Sequence, residues 1–410
     1  MDDGQVAVST ARFEKKKEAI LAAATAVLNR QGVKGMTLAD VGARVGLLTT
    51  SVTYYFKKKE DLAAAVLLRG IATFDGLVDE ASGAGAPETR LMGFLDRFLE
   101  LSRRIRLGEA PPIPSFTELR ALKEPHRTRV AEAFNDLFRK VRGLFDAPQF
   151  EGLSRLERTG RTHLLLEQIF WTAAWLRRYD VEDYPRVRDR MYDILVGGLS
   201  AGGAWAPKPL PPLTRAPAPV DGEAVSREAF LIAATRLINQ RGYRGASVEE
   251  ISAQMGVTKG SFYHHNEDKD GLVGDCFQRT FEAMRKAQFS AREAGPTQWD
   301  RLTAATAALV AFQLSDNGPL LRASALWALP LELRHEMADQ YGRVSERFAA
   351  MVSDGIAEGS IRPVDPLIAA HMLSSMLNAA ASLSAWAPGM TAQEAASLFA
   401  RPLLTGVFKG

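Results

Sequence analysis

The chain carries an internal repeat, and this feature constrains its fold more than any other. Residues 18–62 align with residues 228–272 at a constant offset of 210 and without a gap. Of these 45 pairs 14 are identical, and Gly32, Gly35 and Gly46 fall in register with glycines 242, 245 and 256. Ala-rich helices can resemble one another by chance, but chance does not align their turns as well. The chain therefore contains two copies of one module.

Each copy predicts a small helical bundle. Apolar residues recur at i, i+3, i+4, i+7 and i+8 over residues 20–28 and again over 230–238, which is one face of an amphipathic helix. Capping-box patterns at 37–40 and 247–250 then indicate a second short helix. Gly46 and Gly256 break the chain before a third, at about 49–56 and 259–266. A helix, a tight glycine turn and a polar-aromatic helix predict a helix-turn-helix.

The second copy resembles the recognition segment of TetR-type transcriptional regulators over Gly256-Val-Thr-Lys-Gly-Ser-Phe-Tyr-His-His265, followed by Lys269 and Leu272. The first copy is similar in a looser form over Gly46-Leu-Leu-Thr-Thr-Ser-Val-Thr-Tyr-Tyr-Phe56. In that family one chain has one such domain, followed by a larger helical domain for ligand binding and dimerisation. The resemblance implies an all-α fold with two TetR-like units in one chain. It also implies two partners, double-stranded DNA and a small-molecule effector.

The candidate DNA-binding residues follow from the resemblance and from local chemistry. In the second copy Thr258 caps the recognition helix, Lys259 reaches a phosphate and Gly260 permits close backbone approach. In the first copy Leu48 holds the cap position, so the cap shifts to Thr49 or is lost, and hydroxyls replace the lysine. The candidates are Lys15, Lys16, Thr37, Thr49, Thr50, Ser51, Thr53, Tyr54, Tyr55, Lys57, Lys59, Ser247, Thr258, Lys259, Gly260, Ser261, Tyr263, His264, His265 and Lys269.

Charge distinguishes the two copies, although the whole chain carries only +3. Residues 11–70 hold 11 Lys or Arg against 5 Asp or Glu, and residues 226–280 hold 7 against 7. Part of the excess lies in an N-terminal arm, at Arg12 and Lys15–Lys17. We expect the first copy to supply more phosphate attraction and the second more base-specific contact, so that they bind unlike half-sites.

The remaining sequence predicts helices in two series, with no alternating pattern typical of a sheet. Amphipathic stretches run about 59–82, 88–107, 125–146, 153–178 and 183–201, then about 269–294, 297–315, 331–358, 365–387 and 391–408. We expect helix-turn-helix domains at 11–58 and 225–268, ligand-binding and dimerisation domains at 59–202 and 269–410, and a linker at 203–224. Six prolines in residues 207–219 make that linker an extended spacer of about 40 Å.

TetR-type dimers form through the last two helices of each subunit, which here would be about 153–201 and 365–408. The resemblance therefore implies a pseudo-dimer within one chain, or alternatively a homodimer with four helix-turn-helix domains. Residues 195–199 and 403–407 resemble the end of the last helix. The candidate seam residues are Leu164, Leu165, Ile169, Trp171, Ile194, Met372, Met376 and Leu377.

The helical bundle after each helix-turn-helix can hold a small ligand. The candidate lining residues are Phe98, Phe116 and Trp171 in the first copy and Phe312, Trp327, Met337 and His371 in the second, with ordinary core packing as the alternative. We expect a repressor that an apolar ligand releases from DNA. The alternative is a protein-binding adaptor in which one or both helix-turn-helix copies no longer bind DNA.

Other classes of protein fit the sequence less well. Residues 198–202 match the Gly-x-Ser-x-Gly nucleophile pattern, but that chemistry needs a strand before the serine, and here a helix is predicted. Six scattered histidines and the single Cys276 show no metal-ligand spacing, so we expect no enzyme, metal or cofactor. No signal peptide or membrane-spanning run is present, and we expect a cytoplasmic protein with no membrane partner.

Overall fold

The structure is a computed structural model that describes residues 3–83, 85–214, 227–258, 260 and 268–409, with side chains from residue 11 onward. Within these ranges it is helical, and the one bridge between extended residues joins Ser200 and Ile361. The residues fall into two compact units. The first comprises Met1–Glu80 and Leu101–Lys140, and the second comprises Ala81–Glu100 and Val141–Gly410. The domain boundaries expected from the sequence remain a prediction.

The first helix-turn-helix lies in the first unit. Helix α1 runs Asp3–Gly35 and kinks at Gly32, where the backbone has a φ of 68°. Helix α2 spans Leu38–Arg44 and α3 spans Thr49–Tyr55. Because each short helix has too few hydrogen bonds to be stable alone, the three are held by a shared core. Its members are Ile20, Ala24, Val27, Leu28, Met36, Val41 and Val52, all fully buried.

The scaffold helices of the first half follow. They are α4 (Lys59–Ala81), α5 (Pro87–Arg106), α6 (His126–Arg142), α7 (Arg155–Trp175) and α8 (Tyr184–Gly197). A short 3-10 segment, Phe116–Ala121, interrupts the loop between α5 and α6. In the first unit Phe116 packs between Phe74 and Phe134, with ring centroids 5.6 and 5.8 Å away. Such edge-to-face clusters fix a loop against the helices beneath it.

The second half repeats this order. Its helices are α9 (Arg227–Arg241), α10 (Val248–Gln254), α11 (Lys269–Ser290), α12 (Gln298–Leu314), α13 (Leu331–Glu358) and α14 (Pro366–Ala380). Short helices α15 (Leu383–Trp386), α16 (Ala392–Ala395) and α17 (Arg401–Thr405) end the chain, with a π-helical turn at Ala396–Ala400. A 3-10 segment, Ala323–Ala328, corresponds to the one in the first half.

Helices of both halves meet in the second unit. Gln168 on α7 donates to the Met372 carbonyl at 3.1 Å, and Ser375 on α14 donates to the Glu167 carbonyl at 3.1 Å. Of the eight candidate seam residues, the seven other than Trp171 are at most 1% exposed. Trp171 packs edge-on against Tyr341 at 6.4 Å. Most of the buried residues where helices of the two halves meet are apolar, so burying their surface is a main source of stability.

The ends of α8 and α17 cross with reciprocal hydrogen bonds. The Leu199 N–H donates to the Leu404 carbonyl at 2.8 Å, and the Val407 N–H donates to the Leu195 carbonyl at 2.7 Å. Gly198 has a φ of 71° and Gly406 a φ of 109°, both in the region that favours glycine. A Cβ on Gly198 would lie 2.4 Å from the backbone of Thr405, so the crossing requires a residue without a side chain.

Candidate nucleic-acid interface

The turn inside each helix-turn-helix has the same geometry. Gly46 and Gly256 both have a φ of 67°, a left-handed conformation that other residues adopt at a cost. After the turn the Leu47 N–H donates to the Gly42 carbonyl at 2.9 Å, and the Val257 N–H donates to the Ser252 carbonyl at 3.0 Å. The repeated glycine thus fixes the exit direction of the chain toward the recognition helix in both copies.

The N-caps of α2 and α10 are both present, but they differ. In α10 the Ser247 hydroxyl accepts from the Glu250 N–H, and the Glu250 carboxylate accepts from the Ser247 N–H, which is the complete capping box. In α2 the Thr37 hydroxyl accepts from the Asp40 N–H at 3.1 Å and donates to the Asp40 carboxylate at 2.7 Å. The Ser247 hydroxyl also donates to the Glu250 carboxylate at 3.4 Å, so both caps have a hydroxyl–carboxylate contact, and α10 adds the bond from the Ser247 N–H.

The recognition helix of the first copy, α3, has no side-chain cap. Leu48 is its N-cap residue and is 76% exposed, so of the two predicted outcomes the structure shows the loss of the cap. Thr49, Thr50 and Tyr54 are exposed, and Ser51, Thr53 and Tyr55 are half-buried. The Thr53 hydroxyl donates back to the Thr49 carbonyl at 2.8 Å. The exposed face of α3 therefore presents hydroxyl groups, an aromatic ring and one large aliphatic side chain.

An aromatic cluster joins α3 to α1. Phe13 lies 4.7 Å from Tyr55 and 6.2 Å from Tyr54, measured between ring centroids. The segment predicted as a basic arm is helical here, and its Lys15 and Lys16 side chains are exposed one turn from this cluster. The first copy thus has exposed hydroxyls on α3 and exposed ammonium groups on α1 in the same unit.

Two candidate lysines have bonds inside the protein. Lys59 donates to the Lys34 carbonyl at 2.8 Å, and the equivalent Lys269 donates to the Tyr243 carbonyl while its ammonium lies 4.2 Å above the Tyr243 ring. Each lysine therefore binds a carbonyl at the C-terminal end of the first helix of its copy or two residues beyond it, where helix carbonyls lack partners. Lys57, by contrast, is exposed next to α3.

Part of the second recognition segment lies outside the described residues, namely the candidates Lys259, Ser261, Tyr263, His264 and His265. Thr258 and Gly260, which flank Lys259, are both exposed. The other two candidates of this copy, Ser247 and Lys269, are the cap and the bonded lysine described above.

Each copy ties its first helix to the loop that follows its second scaffold helix. Asn29 donates to the Ile113 carbonyl at 2.8 Å and accepts from the Ser115 N–H at 2.8 Å. Asn239 does the same with the Leu320 carbonyl at 2.8 Å and the Arg322 N–H at 3.0 Å. Asn29 and Asn239 form one of the identical pairs of the repeat, and this identity is the sequence signal that marks them as structurally equivalent.

A repeated ion pair supports the same connection. Arg69 on α4 pairs with Glu18 at 3.2 Å, and Arg279 on α11 pairs with Glu228 at 2.6 Å. Both arginines also donate to a carbonyl in the following loop, that of Pro112 or Asn317. Arg279 is only 5% exposed, so this pair is shielded from solvent and depends on its hydrogen bonds for stability.

The candidate ligand residues of the two copies have different surroundings. Phe116 lies in the first unit, in the cluster described above. In the second unit Phe98, Phe312 and Met337 are buried, whereas Trp327 is 55% exposed. His371 stacks on Trp175 with centroids 4.9 Å apart, and burial lowers the pKa of His371 to about 4.

The remaining chemically distinctive residues have ordinary surroundings. Cys276 is fully buried, and burial raises the pKa of its thiol to about 12. Ser200, of the Gly-x-Ser-x-Gly pattern, follows helix α8 and donates to the Gly203 carbonyl at 2.9 Å. No group of three or more potential metal ligands occurs within the described ranges, and no helix there is long and apolar enough to span a bilayer.

Two helix-turn-helix modules, each followed by a helical bundle, define a DNA-binding transcriptional regulator. The chain matches the family of bacterial regulatory proteins of the tetR type twice, at residues 20–66 and 230–276. Residues 295–386 also match the tetracyclin repressor-like C-terminal domain. The chain belongs to the TetR family and carries two TetR units in tandem.

Individual relatives cover one TetR unit or less. The HTH-type transcriptional repressor DhaR of Mycobacterium sp. (strain GP1) is 28% identical over 138 residues, which are 33% of this chain and 70% of DhaR. The transposon Tn10 TetC protein of Escherichia coli is 36% identical over 52 residues, 13% of this chain and 26% of TetC. The crystal structure of the TetR family regulator PfmR from Thermus thermophilus is 24% identical and covers 43% of this chain and 98% of its own, with a TM-score of 0.37.

Proposed function

We propose that this protein is a sequence-specific repressor that acts as one chain on an operator with two unlike half-sites. The observation that carries the proposal is the inequality of the two helix-turn-helix copies. The first has an uncapped α3 with exposed hydroxyls and a basic α1, whereas the second has a complete capping box and a charge-neutral sequence. DhaR is named a transcriptional repressor, which supports repression as the mode of action here.

The proposal includes an intrachain pseudo-dimer. Its support is the reciprocity of contacts between the halves, because a two-fold interface pairs residue i with j and j with i. Leu199 bonds to Leu404 while Val407 bonds to Leu195, and α7 exchanges hydrogen bonds with α14 in both directions. A chain that fills this interface with its own second half has no need of another copy.

Selection of bound DNA from a random pool tests the half-site proposal. We expect a site with two dissimilar halves. A matched pair of variants assigns them: Thr50→Ala, exposed at the start of α3, relaxes the preference at one half only, and Thr117→Ala, exposed in the 3-10 segment between α5 and α6, changes neither. A palindromic site would contradict the proposal, and failure to enrich any DNA would favour the protein-binding adaptor.

Light scattering at micromolar concentration tests the pseudo-dimer. We expect the mass of one chain, 44.8 kDa. A mass of about 90 kDa would show the homodimer with four helix-turn-helix domains, and the intrachain proposal would then be abandoned.

We also propose that a small ligand with an apolar body releases the protein from its operator. The support is the hydrogen-bonded connection, through Asn29 and Asn239, from the first helix of each copy to the loop that follows its second scaffold helix. A ligand that shifts this loop changes the position of the helix-turn-helix, which is the kind of two-state element that such regulation needs. Competition between candidate effectors and operator DNA, followed by fluorescence anisotropy, measures the release.

A further inference from the structure

A small cavity lies within the bundle of the second half. It measures about 20 Å³, room for about one water molecule or the head of a small ligand. Its polar lining comes from Thr280, Gln313, Arg322, Tyr341, Ser374 and Asn378, and Met284, Leu320, Leu321 and Leu377 complete it. Arg322 is the only charged residue in this lining.

The Arg322 side chain is buried and incompletely bonded. The residue is 8% exposed, and its Nε and Nη2 atoms have no hydrogen-bond partner. These two nitrogens lie on one edge of the guanidinium, and that edge binds a carboxylate through two parallel hydrogen bonds. A buried charge without a counter-ion is costly, so an anion at this edge would be bound with strong preference over water.

The backbone holds Arg322 in place from four sides. Consecutive N–H groups donate to side chains from four different helices, which leaves the segment little freedom to carry the guanidinium elsewhere. The bonds run from Leu320 to Gln313 Oε1 at 2.9 Å, from Leu321 to Thr280 Oγ1 at 2.9 Å, from Arg322 to Asn239 Oδ1 at 3.0 Å and from Ala323 to Asn378 Oδ1 at 2.8 Å.

The first half has no equivalent charge. There the N–H that donates to Asn29 belongs to Ser115, which is exposed, so Ser115 occupies the position of Arg322. The two segments that follow, Phe116–Ala121 and Ala323–Ala328, have the same length and the same 3-10 conformation, which confirms the correspondence. At this position a guanidinium is therefore present in the second half and absent from the first.

We infer that the cavity of the second half binds the carboxylate group of the effector through the Nε–Nη2 edge of Arg322, one molecule per chain. This inference rests on the proposed function, in which a small ligand acts on the chain. The apolar body of the ligand widens the cavity along Met284, Leu320 and Leu377. Because the Arg322 N–H is bonded to Asn239 on α9, a ligand that pulls on Arg322 acts directly on the first helix of the second helix-turn-helix.

Isothermal titration calorimetry of the full chain without DNA tests this inference, with butyrate as the probe and its neutral amide, butyramide, as the control. We expect one butyrate site per chain and no binding of butyramide. Arg322→Met weakens butyrate binding about 10- to 100-fold, the loss expected for charge-assisted hydrogen bonds. Arg334→Met, which removes a guanidinium bonded to the Leu329 carbonyl outside the cavity lining, leaves the affinity unchanged.

Several results would overturn the inference: equal binding of amide and acid, two sites per chain, or unchanged butyrate affinity in Arg322→Met. Binding of inorganic phosphate in place of butyrate would also overturn it, since it would identify a phosphate site. Arg322→Met is expected to fold, because it removes an unpaired buried charge, and thermal unfolding checks this.

A gel-shift assay is run in parallel. Loss of DNA binding with intact butyrate binding would refute the proposed function alone.

Discussion

His163 stacks on Trp386, with ring centroids 4.4 Å apart and planes 17° apart. The reciprocal pair, His371 on Trp175, has a separation of 4.9 Å and an angle of 10°. In each pair the histidine comes from one half, on α7 or α14, and the tryptophan from the other half. This exchange places two titratable rings between the halves.

Acid should weaken this contact. Burial lowers the pKa of both histidines to about 4. At His163 the positive charge of Arg322 lowers the pKa further. At His371 the charge of Arg178 also lowers the pKa, whereas that of Asp365 raises it. An unfolded histidine titrates near pH 6.5, so the unfolded chain binds more protons between pH 6.5 and 4. Stability is therefore fully present above pH 6.5 and is lost as the pH falls toward 4. Urea unfolding between pH 7.5 and 4.5 measures the loss.

The control for this prediction keeps the stacking and removes the titration. The double variant His163→Phe/His371→Phe should lose about 1–3 kcal/mol less stability than the wild type over the same pH range. The range allows for the partial exposure of both rings. An identical pH dependence in the two proteins would show that carboxylates elsewhere cause the acid sensitivity.

The crossing of α8 and α17 should not tolerate a side chain at Gly198. Gly198→Ala combines a left-handed backbone with a Cβ 2.4 Å from the Thr405 backbone, and we expect a loss of about 3 kcal/mol. Gly359→Ala is the matched control, because Gly359 has a φ of 81° and open space around it, and we expect about 1 kcal/mol. Denaturant midpoints give both values. Equal losses would mean that the close approach contributes nothing.

The missing cap of α3 can be restored. Leu48→Thr places a hydroxyl where the second copy has Thr258, at a backbone conformation already extended for an N-cap, with φ −65° and ψ 150°. We expect a gain of about 1 kcal/mol in the free energy of unfolding. Leu107→Thr replaces another exposed leucine away from any helix N-terminus and should stay within about 0.5 kcal/mol. A variant at Leu48 no more stable than the wild type would refute the capping argument.

We expect Lys57 to contact DNA and Lys59 to make a hydrogen bond inside the protein. Lys57→Met removes an exposed ammonium, so the slope of log affinity against log salt should fall by about 0.9 with no change in stability. Lys59→Met removes the bond to the Lys34 carbonyl, so stability should fall by about 1 kcal/mol with the slope unchanged. Salt titrations of operator binding and thermal unfolding give the two quantities. The reverse assignment would restore Lys59 as a phosphate contact.

Much of the fold could be predicted because helical periodicity is a local property of the chain. The stretch expected at 331–358 is helix α13 with the same ends, and those expected at about 59–82 and 88–107 are α4 and α5 within one residue. Short-range patterns do not predict the 3-10 segments or the π-helical turn near the C-terminus, since long-range packing selects these conformations.

The sequence by itself determined the duplication, the helical class and the TetR-type turn, because glycines, caps and amphipathic spacing act through neighbouring residues. It also marked Asn29 and Asn239 as identical without indicating what they bind. Only the tertiary structure decided that these asparagines hold the loops after α5 and α12, that His163 meets Trp386 and that Nε and Nη2 of Arg322 are buried without a hydrogen-bond partner. Each of these depends on residues far apart in the chain, whose distances are fixed only when the chain folds.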